Sequence, residues 1–411
     1  MNKIAIKVKP SIEKIIRQGH PWLFEGGIIK QNIEGKAGDF AIIFDNKKNK
    51  FLGIGLYDPF SPIRVKMLHA NSTVQINAEW FEMKIKTAYE KRLPLLQTKT
   101  NSYRLIYGEN DGLPSLIADV YADVLVIKLY SLIWLPYLDV LQDILLKVSN
   151  CNTLVLRLSR NVEQQKAHLN GLKDGQVLHG ELKNSLSHSV PIPRGELGET
   201  IIFTEHGLKF QANVIHGHKT GYFLDHRHNR KRVGELAKGK RVLDVFAYAG
   251  GFSVHALAGG AKEVISLDIS KQALELSKEN AALNPHKGKH GTMAIDAFEG
   301  LENLHKQRKE FDIVVIDPPS FAKKDLETER AIKSYARLAK AGIKLVAKDG
   351  ILVLASCSSR VSADEFFETV TNELHRSRRP FEVLEKTFHD IDHPIGFAEG
   401  AYLKSIYFKI T

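Results

Sequence analysis

The chain predicts a doubly wound, Rossmann-like α/β domain at its C-terminal end, preceded by a small β-rich module and a central α+β module. Three observations carry that expectation. From about residue 230, strand-like and helix-like runs alternate regularly. The first 70 residues are instead short apolar runs broken by Gly, Pro and Asn. At 411 residues the chain is long for a single core, so several are expected. The boundaries fall at 1–70, 71–182 and 183–411.

In the first module, apolar and charged residues alternate over 3–8 as in a strand, and Phe40 to Phe44 is a second apolar run. Residues 79–93 follow as a helix whose stripe is Trp80, Phe81, Ile85, Tyr89 and Leu93. Lys84, Lys86, Lys91 and Arg92 lie largely off that stripe, on a solvated face. Strands are expected at 103–107, 115–120, 124–130 and 153–158, with a helix over 136–148. Pro191 and Pro193 mark a connector or hairpin at 183–200.

The last module reads strand Val242 to Phe246, helix 252–259, strand Val264 to Asp268, and helix 271–283 capped by Ser270. Strand 311–316, helix 325–347, the turn Lys348-Asp349-Gly350 and strand 351–355 follow. Ser362-Ala363-Asp364-Glu365 is a capping box that starts one more helix.

Composition narrows the function classes. A hydrophobic fraction of 43% and a charged fraction of 26% describe a globular protein. A net charge of +11 favours a polyanionic partner, nucleic acid ahead of a membrane surface. Two cysteines, Cys151 and Cys357, argue for a reducing, cytoplasmic setting rather than a disulfide scaffold. The start lacks the apolar core of a signal peptide. No run approaches the roughly 18 apolar residues of a membrane helix. His216-x-His218 and His226-x-His228 have no carboxylate or thiol cluster to complete a metal site, so no metal is expected.

The chemistry gathers at strand ends, where open α/β sheets collect ligands. Ala247, Ala249, Gly250 and Gly251 permit a tight turn after the first strand, yet the dinucleotide fingerprint G-x-G-x-x-G is absent. Asp244, Asp268, Asp296 and Asp317 instead end successive elements. Asp268 is placed to accept from ribose hydroxyls and Asp296 from an adenine amine. An adenosine ligand without pyrophosphate fits S-adenosyl-L-methionine better than NAD. Cys357, past the run Ile351 to Leu354, and Asp317, before Pro318 and Pro319, would reach the same edge. A thiol and a carboxylate there point to covalent chemistry on a nucleobase. Cys151, at the start of a core strand, is expected to be inert.

The sequence resembles the class I RNA methyltransferases of the RlmI type, bacterial large-subunit rRNA cytosine-5 methyltransferases, over the whole chain. The likeness rests on Gly19-His20-Pro21-Trp22-Leu23-Phe24, Gly108-Glu109-Asn110-Asp111-Gly112-Leu113-Pro114, Lys219-Thr220-Gly221-Tyr222-Phe223-Leu224-Asp225, the stretch 243–253, Asp317-Pro318-Pro319 and Ser356-Cys357-Ser358. The resemblance implies a PUA domain, an RNA-binding β-barrel, over 1–70. It implies cofactor contacts at Asp244, Asp268 and Asp296, with Phe223 and Asp225 bordering the pocket and Phe246, Ala247 and Gly250 in its turn. It also implies Asp317 at the target base and Cys357 at its carbon 6. Pro318, Pro319, Arg227 and Lys323 are expected at the RNA. His226-Arg227-His228 departs from the family, where glutamine and glutamate are expected around the arginine. The partner implied is large-subunit ribosomal RNA, with a homodimer as a candidate assembly and no membrane. Two other readings stand beside it: a methyltransferase of another base, such as a guanine ring nitrogen, with Cys357 structural, and a non-catalytic RNA-binding assembly factor.

Overall fold

The computed structural model describes residues 2–182, 200–322 and 324–411. Within them lie two compact units. One comprises Met1–Thr204, Ala212–Leu224 and Ile391–Ala398; the other Glu205–Gln211, Asp225–Asp390 and Glu399–Thr411. The connector at 183–200, with Pro191 and Pro193, and the candidate Lys323 lie outside the described residues, apart from Thr200.

In the first unit, β1 (Lys3–Val8), β2 (Trp22–Phe24), β3 (Ile28–Gln31), β4 (Phe40–Phe44), β5 (Phe51–Tyr57) and β6 (Ile63–Ala70) form one sheet. Its order is β2-β6-β5-β4-β1-β3. The strand β1 runs parallel to β4, while every other neighbour is antiparallel. The helix α1 (Pro10–Arg17) begins with proline, which suits a first turn that needs no N–H donor. A second sheet holds β7 (Ser102–Tyr107), β8 (Leu116–Tyr121), β9 (Val124–Leu129), β10 (Thr153–Leu158) and β11 (Gln176–His179), in the order β11-β10-β9-β8-β7. With it come α2 (Ala78–Leu96), α3 (Leu138–Ser149) and the single turn α4 (Arg160–Glu163). Trp80, Phe81 and Ile85 of α2 share a core with Leu141 and Ile144 of α3.

The stripe of α2 needs one correction. Leu93 is 42% exposed, whereas Arg92, expected on the solvated face, is fully buried. A carboxylate explains the exchange. The Arg92 guanidinium donates to both oxygens of Asp111 at 3.0 and 2.6 Å, and Asp111 in turn accepts the Tyr107 N–H. The motif around Gly108 to Gly112 is therefore a structural clasp. Trp22 is half-buried, and its Nε1 donates to Glu109 Oε1 at 3.0 Å. The segment after Lys219 is anchored to the same unit: Thr220 donates to Asp119 and the Tyr222 N–H to the Tyr121 hydroxyl.

The strands β12 (Thr200–Glu205) and β13 (Leu208–Asn213) lie where the chain passes between the units. The second unit then contains α5 (Arg227–Leu236), β14 (Arg241–Val245), α6 (Gly251–Ala258), β15 (Glu263–Asp268), α7 (Lys271–Ala282), β16 (Lys289–Ala294) and α8 (Ala297–Lys306). It continues through β17 (Phe311–Ile316), α9 (Thr328–Ile343), β18 (Val346–Ser356), α10 (Ala363–Ser377), β19 (Phe381–Thr387) and β20 (Lys404–Ile410). The sheet order is β16-β15-β14-β17-β18-β20-β19. Strands β14 to β18 pair in parallel, and β20 is antiparallel to both its neighbours. Strand order reverses between β14 and β17, the place where such sheets open a crevice at their carboxyl edge.

Local sequence explains most boundaries. Ser270 caps α7 by accepting the Ala273 N–H at 3.2 Å. Ser362 and Glu365 exchange the two bonds of a capping box at the start of α10. Two expectations fail. The helix foreseen to reach 347 stops at Ile343, because Val346 already pairs with Phe311. The expected turn at 348–350 is an irregularity inside β18, with Asp349 at φ 59°. The strands β16, β19 and β20 were not foreseen; β16 alternates poorly, reading Lys-His-Gly-Thr-Met-Ala.

Glu205 anchors the helix that leads into the sheet. It is fully buried and bonds the Arg230 guanidinium at 2.7 and 2.6 Å and His255 Nε2 at 2.9 Å. Burial alone would raise its carboxyl, but Arg230, with His255 behind it, holds it far below the usual carboxylate range. Glu205→Gln is expected to cost the second unit about 3–5 kcal/mol, because it strands buried guanidinium charge. Chemical unfolding of the variant measures this; a loss below about 1 kcal/mol, typical of an exposed pair, would contradict it.

Candidate active site

The carboxyl edge of β14, β15 and β17 is shaped by a strained turn. Phe246 and Tyr248 both carry positive φ, 65° and 46°, a costly state for large side chains. The turn is fastened from behind. Ala247 N–H bonds the Leu267 carbonyl at 3.0 Å, Tyr248 N–H bonds Asp268 Oδ2 at 2.9 Å, and Asn280 donates to the Ala249 carbonyl at 2.9 Å. Gly250 has φ 74°, and a Cβ there would lie 2.1 Å from Ser277 Oγ. Only glycine fits, and α6 begins directly after it with its first N–H groups at this edge.

The four aspartates are not equivalent. Asp268 is the last residue of β15, and Asp317 follows the last residue of β17. Asp296 caps α8 rather than ending a strand: its Oδ1 accepts the Phe298 and Glu299 N–H groups, and its Oδ2 bonds nothing among the described residues. Asp244 lies one residue inside β14, since Val245 still pairs with Ile316. Its side chain is buried; Oδ2 accepts from the Ser253 hydroxyl at 2.7 Å, while Oδ1 has no partner among the described residues. Burial pushes its carboxyl up to about 7 against the two bonds from Ser253.

Cys357 stands just past β18, half-buried, and its thiol points to the Pro318 carbonyl at 3.6 Å. The thiol and the Asp317-Pro318 turn are thus brought together. The flanking serines hold them there. Ser358 Oγ meets Ser320 Oγ at 3.1 Å, accepts the Phe321 N–H at 3.1 Å and meets the Tyr335 hydroxyl at 2.9 Å. Lys404, opposite Ser356 on β20, is nearly buried. Its ammonium donates to the Ser358 carbonyl at 2.6 Å. Burial lowers it to about 8, and the charge of Cys357 opposes that fall. Nothing local in the sequence marks Lys404; only the strand pairing brings it here.

Other candidates divide. Asp225 is buried and accepts the Tyr402 hydroxyl at 2.7 Å, while Phe223 belongs to the first unit, where Lys219 Nζ lies 5.4 Å from its ring centre. Pro318 is buried and Pro319 exposed. Arg227, expected at a phosphate, is fully buried, 3.3 Å from Asp390 and 3.8 Å from Glu205. A guanidinium enclosed by two carboxylates is structural, which corrects that expectation. Cys151 is buried, and burial pushes its thiol up to about 11, so it stays protonated at neutral pH.

A parallel sheet whose reversal point presents a glycine turn, an unsatisfied buried carboxylate oxygen and a cap aspartate is an α/β domain suited to a nucleoside-bearing cofactor. A profile of the S-adenosylmethionine-dependent methyltransferases matches residues 139–406, and one of the PUA-like domain matches 6–70. The chain belongs to the S-adenosylmethionine-dependent methyltransferase family. It is 42% identical over 414 residues to the ribosomal RNA large subunit methyltransferase of Deinococcus radiodurans, covering 99% of this chain and 98% of that one. To ribosomal RNA large subunit methyltransferase I of Alteromonas mediterranea it is 31% identical, covering 98% of each. Among solved structures, a SAM-dependent methyltransferase from Streptococcus mutans shares the fold with a TM-score of 0.79 at 21% identity, covering 98% of this chain and 99% of that one. Another methyltransferase, complexed with SAH, has the same score and identity and covers 100% of both chains.

The residues present fit S-adenosylmethionine: the Gly250 cradle admits close backbone approach, and Asp244 and Asp296 keep carboxylate oxygens without partners among the described residues. No helix among the described residues is long and apolar enough to cross a membrane.

Two outcomes follow. Gly250→Ala adds both a clash and backbone strain of about 1–3 kcal/mol, so cofactor affinity measured by calorimetry should fall roughly tenfold or more. Wild-type affinity in that variant would contradict the cradle. Because the folded carboxyl of Asp244 is raised, its contribution to stability is full at acid pH and is lost as pH rises from the ordinary carboxylate range through about 7. Melting temperatures across that window should decline less in Asp244→Asn; an unchanged slope would contradict the assignment.

Proposed function

We propose that the protein is an S-adenosylmethionine-dependent RNA methyltransferase that forms 5-methylcytosine in large-subunit ribosomal RNA through a transient covalent bond to Cys357. The observation that carries the reading is the meeting of the Cys357 thiol with the Asp317-Pro318 turn, 3.6 Å from the Pro318 carbonyl, at the carboxyl edge of a methyltransferase sheet. The Deinococcus and Alteromonas relatives, both named as ribosomal RNA large subunit methyltransferases, support the RNA substrate. The net charge of +11 agrees with a polyanionic partner.

Carbon 5 of cytosine is a poor nucleophile. When the Cys357 thiolate adds to carbon 6, the S–C6 bond forms and the C5–C6 π electrons are pushed through the ring toward N3, leaving carbon 5 enamine-like. Bound S-adenosylmethionine supplies the electrophilic methyl group. Asp317 faces the N3 and amine edge of the base, and the Lys404 ammonium favours the attacking thiolate. Pro318 and Pro319 fix the turn against which the flipped base rests, after an unstacking cost of a few kcal/mol. Removal of the C5 proton and expulsion of the thiolate restore the ring. Asp244, Asp268 and Asp296 hold the cofactor, with Phe246, Ala247 and Gly250 forming its turn and Asp225 bordering it.

Methylation of undermethylated large-subunit rRNA, with products mapped as 5-methylcytosine by nucleoside mass spectrometry, tests this. Cys357→Ala should reduce product by roughly three orders of magnitude or more while keeping cofactor affinity. Full methylation by that variant, or a product other than 5-methylcytosine, would end the reading.

A further inference from the structure

His226 occupies a position where this chain departs from the family it resembles, and its ring has no role in the chemistry above. It is buried ahead of α5, edge-on to Phe252 of α6 with ring centres 5.7 Å apart. Its Nε2 stands 3.3 Å from Asp317 Oδ1, an ion-pair separation, and hydrogen-bonds nothing else among the described residues. Behind the ring, Nδ1 lies 3.2 Å from Asn229 Nδ2.

The Asn229 amide is ringed by hydroxyls. Thr387 and Tyr407 reach its Oδ1 at 2.7 and 2.9 Å, and Ser405 Oγ lies 3.4 Å from its Nδ2. A hydroxyl donates or accepts by rotation. Turning the amide over and reversing those hydroxyls offers Oδ1 to a protonated Nδ1. Both the neutral ring and the imidazolium therefore find partners in the same cage.

Resting on the cytosine-5 reading, we propose that His226 is the proton reservoir of Asp317: when the thiolate adds to carbon 6, the imidazolium passes a proton through the Asp317 carboxyl to N3 of the base. In that step the S–C6 and N3–H bonds form, the C5–C6 π bond and the Nε2–H bond break, and neutral imidazole remains. Expulsion of the thiolate runs the transfer backwards and returns the proton to Nε2. The proton on carbon 5 leaves separately. His226 touches no substrate, so it is a positioning and proton-supplying residue acting through Asp317.

The charged and titratable groups facing the ring are Asp317 from the end of β17, Asp225 and Arg230 from its own segment, and His228, whose own value burial lowers. Burial opposes the charge on His226, but Asp317 and then Asp225 outweigh burial and Arg230, so the imidazolium persists above its ordinary range. The reservoir is full below that raised value and empties as pH rises through it. The rate of methylation at saturating cofactor should thus fall on the alkaline side.

The test compares the pH profile of kcat in wild type and His226→Gln, with 5-methylcytosine as the measured product and cofactor affinity from calorimetry. The expected result is a kcat lowered about 100-fold, an alkaline limb moved to higher pH, and unchanged cofactor affinity. A variant whose kcat stays within about twofold and whose alkaline limb is unmoved overturns the proposal. So does loss of cofactor affinity with the limb in place, which is what a purely structural histidine would give. A wild-type product other than 5-methylcytosine removes the cytosine reading and the reservoir together, whereas failure of the His226→Gln comparison alone leaves that reading standing. Should His226→Gln not fold, imidazole NMR titrations of wild type and Asp317→Asn decide. One histidine should titrate lower in the variant, and identical titrations would overturn the proposal.

Discussion

The reversal of strand order between β14 and β17 is the constraint on which the second unit depends. Parallel strands joined by crossover helices all deliver their carboxyl ends to one edge, and at a reversal the connecting segments diverge and leave that edge open. Asp268, Asp317, the turn from Phe246 to Gly250 and Cys357 all stand at the carboxyl ends of strands that deliver to this edge. The register also sets their depth. Val245 pairs with Ile316 and Ile316 with Leu354, so Asp317 emerges one residue beyond the ladder and Cys357 three beyond Leu354. A slip of one residue would turn each side chain to the other face of the sheet.

Holding an open edge in place requires rigid support, and the structure supplies it with buried polar bonds. Glu205 gathers Arg230 and His255 beneath the segment carrying His226. Ser358 and Tyr335 lock the loop of Cys357 to that of Pro318, and Lys404 clamps it from β20. Such bonds are costly to break when buried, which keeps the loops of Cys357 and Pro318 fixed against each other without a ligand. The antiparallel strand β20 does double duty: it extends the sheet beside β18 and brings Lys404 to the Ser358 carbonyl in the loop of Cys357.

The alternation of strands and helices after residue 230, the caps at Ser270 and Ser362, and the convergence of Asp317 and Cys357 could be read from the sequence because each is local or follows from a parallel topology. What could not be read is tertiary. Arg92 looks solvated until Asp111 folds back onto it. Arg227 looks like a phosphate ligand until Glu205 and Asp390 enclose it. Asp244 looks like a strand end until Val245 takes a ladder partner. Lys404 carries no pattern at all, and its place is fixed by pairing with a strand 48 residues earlier, Ser356 against Lys404. His226 was visible as a departure from the family, but its meaning depended on the 3.3 Å approach to Asp317.

The central claim is that the sheet edge presents Cys357 as a nucleophile toward cytosine. The most direct measurement incubates the protein and S-adenosylmethionine with target RNA carrying 5-fluorocytosine, whose fluorine cannot leave as a proton does, and maps the cross-linked peptide by mass spectrometry. The account predicts a cofactor-dependent adduct on Cys357 with the base methylated. Methylation of ordinary substrate without any adduct on the fluorinated RNA, or an adduct on another residue, would contradict it.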